Sequence, residues 1–326
     1  MRVFLTGASG FIGSFIAEAL LQKGYQVRCL VRTSSNLRWL ADLDVECFYG
    51  SLDDLGSLKR GLQDTDYIIH AAGLTSALSK EELLKVNYHG TKNLLSATIE
   101  SNPGLKRFVL ISSQAAAGPG QSLQAIDETW EPRPITEYGR SKLLSERSVL
   151  QYKDKLPSTI IRPPAVYGPR DKETLKFFKT VKQGLIPQVD GKTKFLSIIY
   201  VKDLAEETIR AMESEKTRGQ TYFFANPQPQ SWEDIARIVL RYFNKKGIRL
   251  HIPSLFVQGI AVLSEGLSRL TLKPSKLNRQ TVLDMKEDFW ICSPHKAQSD
   301  FDFNPQTSLQ QGIQETLDWY KEMGWI

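Results

Sequence analysis

The chain has 326 residues, of which 41% are hydrophobic and 24% are charged, a balance typical of a folded globular protein and not of a disordered one. Its formal net charge is +6, but lysine and arginine are scattered along the chain. A nucleic-acid surface needs clustered basic residues, so this pattern argues against a nucleic-acid partner.

The three cysteines and four histidines do not have the spacing of metal ligands, so we expect no metal site. The first strand is predicted to begin at Arg2, which leaves no room for a signal peptide. An odd number of cysteines and the lack of a leader both favour a cytoplasmic location.

The first predicted strand, Val3-Phe4-Leu5, is followed by a glycine-rich loop of the form G-x-x-G-x-x-G and by a helical pattern. The next strand is predicted from Tyr25 to Val31, so the segment has the order of a βαβ unit. Such a loop lets the backbone approach a phosphate, and the helix start presents free N–H groups to it. An ordinary glycine-rich turn is the alternative. We expect the pyrophosphate of a dinucleotide to contact Gly7, Ser9, Gly10, Phe11, Ile12 and Gly13.

The second strand is predicted to end near the residue that contacts the adenosine ribose, about 20 residues beyond the glycines. An acidic residue there would favour NAD, but this chain has Arg32, followed by hydroxyl and amide side chains. A guanidinium suits the 2′-phosphate of NADP. NADP(H) is therefore favoured. NAD(H) is the alternative if Arg32 is only a solvated charge at the end of the strand.

Further strands alternate with helical patterns, which is typical of a doubly wound parallel sheet. They are predicted near 45–49, 67–71, 107–111 and 158–162. Two later segments, Phe195 to Val201 and Thr221 to Phe224, are predicted to return to this sheet. We therefore expect an α/β fold with an NADP-binding Rossmann domain over 1–165, rejoined by 195–225. A smaller, mostly helical substrate-binding lobe would cover 166–326.

Tyr138 and Lys142 lie four residues apart at the start of a predicted helix, so their side chains share one face. A positive charge about 4 Å from the phenol would lower its pKa from about 10 to near 7, and Lys142, helped by the charge of an oxidised nicotinamide, could supply this shift. Two serines follow the strand near 107–111, at the sheet edge where ligands bind. We choose Ser113 as the hydrogen-bond donor to the substrate, with Ser112 as the fallback. Tyr138 and Lys142 could instead be ordinary surface neighbours on a helix.

Two segments outside the βα units bear on the substrate. The connection from Ala117 to Thr136 contains three prolines and is expected to border the substrate or to be a plain surface loop. Leu255 to Leu272 has apolar residues at helical spacing but is too short and too charged to span a bilayer. A helix packed on its own domain is the leading interpretation there. A lid over an apolar substrate and a membrane-surface contact are the alternatives.

These motifs together resemble the extended short-chain dehydrogenase/reductases of the NAD(P)-dependent epimerase/dehydratase group. The resemblance runs along nearly the whole chain. Its landmarks are Thr6 to Gly13, His70-Ala71-Ala72-Gly73, Val86 to Leu95, Ser112-Ser113, Tyr138-x-x-x-Lys142, Arg162 to Arg170, Tyr200 to Ala205 and Leu309 to Tyr320.

The resemblance implies a role for each site residue. Tyr138 would be the general acid/base, Lys142 would bind the nicotinamide ribose and lower the tyrosine pKa, and Ser113 would polarise the reacting C–O group. A further set would contact the cofactor, namely Ser51, Leu52, Ala71, Ala72, Gly73, Pro163 and Val166. Ser51 stands where the family usually has an aspartate near the adenine, so Asp53 is a second candidate for that contact. A homodimer through helices that flank the sheet is also implied.

Two departures bear on the substrate. Nucleotide-sugar members usually have asparagine at Ala165 and arginine at Leu196, and a diphosphate needs such polar or cationic partners. The chain is therefore closer in type to dihydroflavonol-reductase-like and 3β-hydroxysteroid-dehydrogenase-like members. The leading hypothesis is an NADP-dependent oxidoreductase of a carbonyl or secondary alcohol. A nucleotide-sugar epimerase or dehydratase is the alternative, and a non-catalytic NADP-sensing protein is the third.

Overall fold

The computed structural model describes the backbone of residues 1–271 and 278–326, and the side chains of the same ranges except 266–271. Seven parallel strands form the main sheet in the order β3-β2-β1-β4-β5-β6-β11. They are β1 Arg2–Thr6, β2 Gln26–Val31, β3 Glu46–Tyr49, β4 Tyr67–His70, β5 Arg107–Ile111, β6 Ser158–Arg162 and β11 Gln220–Phe223. The first six strands have the order of a Rossmann sheet, which confirms the predicted α/β class.

The other strands form small two- and three-stranded sheets. They are β7 Ala165–Tyr167, β8 Leu185–Val189, β9 Phe195–Leu196, β10 Ile198–Tyr200, β12 Gln230–Ser231, β13 Ile248–Ile252 and β14 Phe289–Trp290.

The α-helices of the described residues are α1 Phe11–Gln22, α2 Leu55–Gly61, α3 Lys80–Leu83, α4 Gly90–Ser101, α5 Glu137–Leu150, α6 Glu173–Lys182, α7 Val201–Glu213, α8 Trp232–Tyr242, α9 Ser254–Thr271, α10 Arg279–Lys286, α11 His295–Phe301 and α12 Leu309–Glu322. A π-helical turn, Leu84–His89, joins α3 to α4.

Helices cover both faces of the main sheet. In β1, Val3 and Leu5 pack on one face against α1, α7 and α11, whereas Phe4 packs on the other against α2, α4 and α5. The chain leaves β1 toward one side of the sheet and β4 toward the other. The crevice at the carboxyl ends of these two neighbouring strands is where such sheets bind ligands.

The prediction that Phe195 to Val201 returns to the main sheet is wrong for the strands. Here β9 pairs with β12 and β14, and β10 pairs with β7, all outside that sheet. An apolar run predicts a strand but does not identify its partner. Thr221 to Phe224 does return, as β11 beside β6, and so does α7, which packs into the core beneath the main sheet.

Helix α9 begins at Ser254, close to the predicted start, and buries one face only. Val257 and Ala261 pack against α10, whereas Leu255 and Phe256 are exposed. The buried face fits a helix packed on its own lobe. The predicted end at Leu272 lies outside the described residues. In the part of the chain that is described, no helix is long and apolar enough to cross a membrane.

Candidate active site

The glycine loop forms a tight turn between β1 and α1. Gly7 has a φ of 77°, in the left-handed region that favours glycine, and a Cβ there would lie 2.6 Å from the Ala72 amide nitrogen. A Cβ on Gly13 would overlap the Gly7 carbonyl. Among the described residues, no side chain caps the start of α1 at Phe11. Glycine at these positions therefore lets the turn pack closely on itself and on Ala72, and the start of α1 keeps N–H groups for a phosphate.

Two arginines follow β2, and the structure separates their roles. The Arg38 guanidinium stacks over the Trp39 ring at 4.0 Å, so an aromatic contact already holds it. Arg32 is exposed, and its amide donates to the Ser35 hydroxyl at 3.0 Å within the turn that follows the strand. Its guanidinium makes no hydrogen bond or ion pair with any described residue. Arg32 is thus the arginine that is free to bind an anion at this strand end.

The expected contacts of the cofactor lie along the carboxyl edge of the sheet. Ser51 and Leu52 follow β3, and the Ser51 hydroxyl accepts from the Asp53 amide at 3.3 Å. The Asp53 carboxylate pairs with Lys85 at 3.2 Å on the surface. Ser51 and Leu52, with Asp53 as the second candidate, stay the predicted adenine contacts.

The segment Ala71-Ala72-Gly73 follows β4 and lies against the glycine turn. The Ala72 amide donates to the Thr6 hydroxyl at 3.2 Å, which fastens the segment to the end of β1. The structure thus brings these three residues to the crevice between the two strands.

The two serines that follow β5 point in different directions. The Ser113 side chain hydrogen-bonds to Tyr138. The Ser112 hydroxyl instead donates to Glu146 at 2.5 Å, and Glu146 forms a buried ion pair with Arg162. The geometry therefore brings Ser113 to the phenol and excludes Ser112 as its substitute.

The phenol of Tyr138 is protonated at neutral pH in this structure. Burial raises its pKa, the hydrogen bond from Ser113 lowers it, and the charge of Asp284 raises it again. The net change from the described residues is upward, because burial outweighs the other influences on a phenolate. The expected lowering of this pKa by Lys142 together with an oxidised nicotinamide stays a prediction.

The side chain of Lys142 extends from α5 to the end of β5, where its ammonium lies beside the loop that follows β4. Its ammonium donates to the Ile111 carbonyl at 2.6 Å, and a Cβ built on Gly73 would lie 3.8 Å from it. Burial lowers the pKa of Lys142 to about 8, although the charge of Glu146 opposes this. The lysine can therefore hold or release a proton near neutral pH, in the place where the ribose is expected.

Asn87 is a structural element of the site that sequence reasoning missed. Its amide donates to the Leu74 carbonyl at 2.9 Å and to the Ser141 hydroxyl at 2.8 Å, and its oxygen accepts from the Leu74 amide. These bonds tie the loop after β4 to the helix that carries Tyr138. Asn87 lies within a landmark of the family resemblance, which was the only signal for it.

The chain that follows β6 leads from the carboxyl edge of the main sheet to the smaller lobe. The backbone N–H of Gln114, next to Ser113, donates to the Pro163 carbonyl at 2.8 Å. Val166 packs against the core of the main sheet. In the smaller lobe is a small apolar pocket with no acidic, basic or histidine side chain in its lining, which consists of Ala165, Tyr167, Thr174, Phe178, Leu196, Ile198, Trp232, Ile235, Leu309 and Ile313.

The connection from Ala117 to Thr136 is fastened to the smaller lobe. The Gly120 amide donates to the Phe289 carbonyl at 2.8 Å, and Ile126 pairs with Cys292. The segment is therefore packed between β14 and the start of α5. A plain surface loop does not describe it.

His70 lies buried beneath the site and has a structural role. Its ring nitrogens contact the hydroxyls of Thr6 at 2.7 Å and Thr91 at 3.0 Å. Burial, followed by the charge of Lys142, lowers its pKa to about 3, so the ring is neutral. In the described part of the chain, no three acidic, cysteine or histidine residues are grouped as metal ligands.

Comparison with known proteins identifies the family. A family model described as "Epimerase: NAD dependent epimerase/dehydratase family" matches residues 3–223, more than half of the chain. The chain belongs to this family. Ceramide reductase of Caulobacter vibrioides is 28% identical to it over 99% of this chain and 96% of that protein. A 3 beta-hydroxysteroid dehydrogenase/Delta 5-->4-isomerase of Mycobacterium tuberculosis is 27% identical over 98% of this chain and 90% of that protein. The crystal structure of gox2253 matches with a TM-score of 0.83 and 26% identity, covering 100% of this chain and 99% of that one.

The epimerase/dehydratase family binds a nicotinamide cofactor, and this member is an enzyme of the short-chain dehydrogenase/reductase type. Its residues fit such a cofactor on structural grounds. The glycine turn packs against the backbone of Ala71 and Ala72, no described side chain caps the start of α1, and the Lys142 ammonium lies at the adjacent strand end.

Proposed function

We propose that the protein is an NADP-dependent oxidoreductase that transfers a hydride between nicotinamide and a carbonyl or secondary alcohol. The observation that carries the proposal is the placement of Ser113, Tyr138 and Lys142 at the carboxyl end of β5, beside the glycine turn. The names of the two relatives, a reductase and a dehydrogenase, support the same chemistry.

In this mechanism the bound cofactor supplies the hydride. The glycine turn holds the pyrophosphate, and Lys142 binds the ribose. Ser113 donates a hydrogen bond to the carbonyl oxygen and holds it against Tyr138. The phenol, which burial keeps protonated, donates its proton to the oxygen as the alcohol forms. Lys142, with a pKa of about 8, is suited to return a proton to the phenolate.

Arg32 supports NADP(H) over NAD(H), because its guanidinium is exposed and available at the end of β2. The substrate is proposed to be apolar around the carbonyl. Ala165 and Leu196 lie in the apolar pocket and supply no cation for a diphosphate. The relatives' names refer to a ceramide and a steroid, which agrees with such a substrate.

A screen of NADPH oxidation over ketones, aldehydes and acyl-CoA esters, with NADH alongside, tests this function. We expect consumption of NADPH with at least one ketone or aldehyde, and slower reaction with NADH. A nucleotide-sugar epimerase would instead retain its cofactor tightly and turn over nucleotide sugars without net NADPH consumption. Binding of NADPH with no reaction across the panel would favour the non-catalytic NADP-sensing protein.

A further inference from the structure

Helix α10 of the smaller lobe is docked directly onto the start of the helix that carries Tyr138. The side-chain oxygen of Gln280 accepts from the backbone amide of Glu137 at 2.7 Å, so α10 satisfies one of the free N–H groups of α5. Val282, on the other side of α10, packs against α9. The helix is therefore held in place on both sides.

Asp284 lies four residues after Gln280 and so shares its face of α10, the face toward Tyr138. Its charge is close enough to raise the pKa of the phenol. The Oδ1 atom of this carboxylate is buried, and no described residue donates a hydrogen bond to it. The smaller lobe thus presents an acceptor that no described residue satisfies, on the face of α10 that meets the start of α5.

A purely structural role does not explain this carboxylate. Buried carboxylates that stabilise a fold are paired with a cation or accept several hydrogen bonds, as Glu146 does with Arg162 and Ser112. The charged group that acts on Asp284 is instead another acid, Glu287, which repels its carboxylate. Burial, followed by that charge, raises the pKa of Asp284 to about 7. A ligand with an O–H or N–H group could donate the hydrogen bond that this acceptor lacks.

We propose that the Asp284 carboxylate is a substrate-binding group that accepts a hydrogen bond from a hydroxyl or N–H group next to the carbonyl that is reduced. The inference rests on the proposed function, because it places this donor relative to a carbonyl held by Ser113 and Tyr138. The substrate class is then a ketone with a hydroxyl or amide substituent on the neighbouring carbon and an apolar remainder.

Binding of two matched probes tests the proposal without requiring turnover. Calorimetry of the full chain with NADP⁺ would compare 2-hydroxyacetophenone with acetophenone, which lacks only the hydroxyl. A hydrogen bond to a charged group predicts about tenfold or greater preference for the hydroxyketone. 2-Acetamidoacetophenone tests whether an N–H donor gives the same preference, and either donor alone supports the proposal.

Asp284→Ala should abolish this preference. Asp284→Asn keeps the shape of the side chain but removes its charge, so it should reduce the preference. The asparagine variant serves as the test if the alanine variant does not fold. Leu283→Ala, at an exposed position of the same helix, should leave it unchanged. The proposal is overturned if the wild-type protein binds neither probe, shows no preference for either donor, or keeps the preference without the carboxylate. Preferred binding without NADPH oxidation would contradict the reductase function and leave the role of Asp284 intact.

Discussion

Burial moves the pKa values of the two central residues in opposite directions. It raises the pKa of the Tyr138 phenol, which stays protonated, and lowers that of Lys142 to about 8. In the proposed mechanism, a protonated phenol and a lysine that can release its proton suit proton donation to a carbonyl oxygen.

Removal of the Arg32 guanidinium should weaken the binding of NADPH but not the binding of NADH. We expect Arg32→Ala to raise the KM for NADPH by about ten- to a hundredfold, because charge-assisted bonds to the 2′-phosphate are lost. The KM for NADH should be nearly unchanged. Arg38→Ala is the matched control, since its guanidinium stacks on Trp39. Equal effects of Arg32→Ala on the two cofactors would rule out a role in 2′-phosphate binding.

Asp284 should make stability depend on pH. An unfolded aspartate titrates near 4, whereas burial and Glu287 raise the pKa of Asp284 to about 7 in the folded protein. Ionisation therefore disfavours the folded state, by an amount that grows from about pH 4 to above pH 7. The free energy of unfolding of Asp284→Asn, measured in urea, should exceed that of wild type at pH 8 and approach it at pH 5. A difference that is constant with pH would contradict this assignment.

At the scale of elements, the buried pair of Glu146 and Arg162 joins α5 to β6 directly behind the site. The Nε and Nη2 atoms of Arg162 donate to the two carboxylate oxygens of Glu146 at 2.9 and 2.7 Å, and the Ser112 hydroxyl donates a third hydrogen bond to Glu146. The pair fixes the helix that carries Tyr138 and Lys142 against the sheet.

Breaking this pair should strongly destabilise the protein. Glu146→Gln leaves the Arg162 charge buried without a counterion and should lower the free energy of unfolding by about 3 kcal/mol. Glu131→Gln, in an exposed pair with Arg133, should cost less than about 1 kcal/mol. Urea denaturation of the two variants measures both values. Similar losses in the two would show that the buried pair has no special structural role.

Elements formed by local patterns could be predicted from the sequence, and those fixed by distant contacts could not. The strands of the main sheet are short apolar runs at regular intervals, so β1 to β6 were predictable. The segment at 195–200 has a strand pattern as well, but its partners β7, β12 and β14 are distant in sequence.

The candidate site shows the same limit. The glycine loop, Ser113, Tyr138 and Lys142 have motif spacing. Asp284 faces the start of α5 only because α10, more than 140 residues later in the chain, packs there. Ser113 was already the choice from the sequence, but the exclusion of Ser112 needed the structure, in which the Ser112 hydroxyl donates to Glu146.

At the scale of the whole molecule, the site lies where the main sheet meets the smaller lobe. The sheet provides the glycine turn and the proton-transfer residues, and the lobe provides the apolar pocket and α10. Under the proposed function, the main sheet would supply the cofactor chemistry and the smaller lobe would supply the substrate contacts. The homodimer through the flanking helices stays a prediction.

The most direct test of the account is Tyr138→Phe, measured by NADPH oxidation with a ketone that the wild-type protein reduces and by NADPH binding. Removal of the proton donor should lower kcat by about a hundredfold or more, because general acid catalysis is lost, while the dissociation constant for NADPH changes little. Turnover by the phenylalanine variant at the wild-type rate would contradict the central claim.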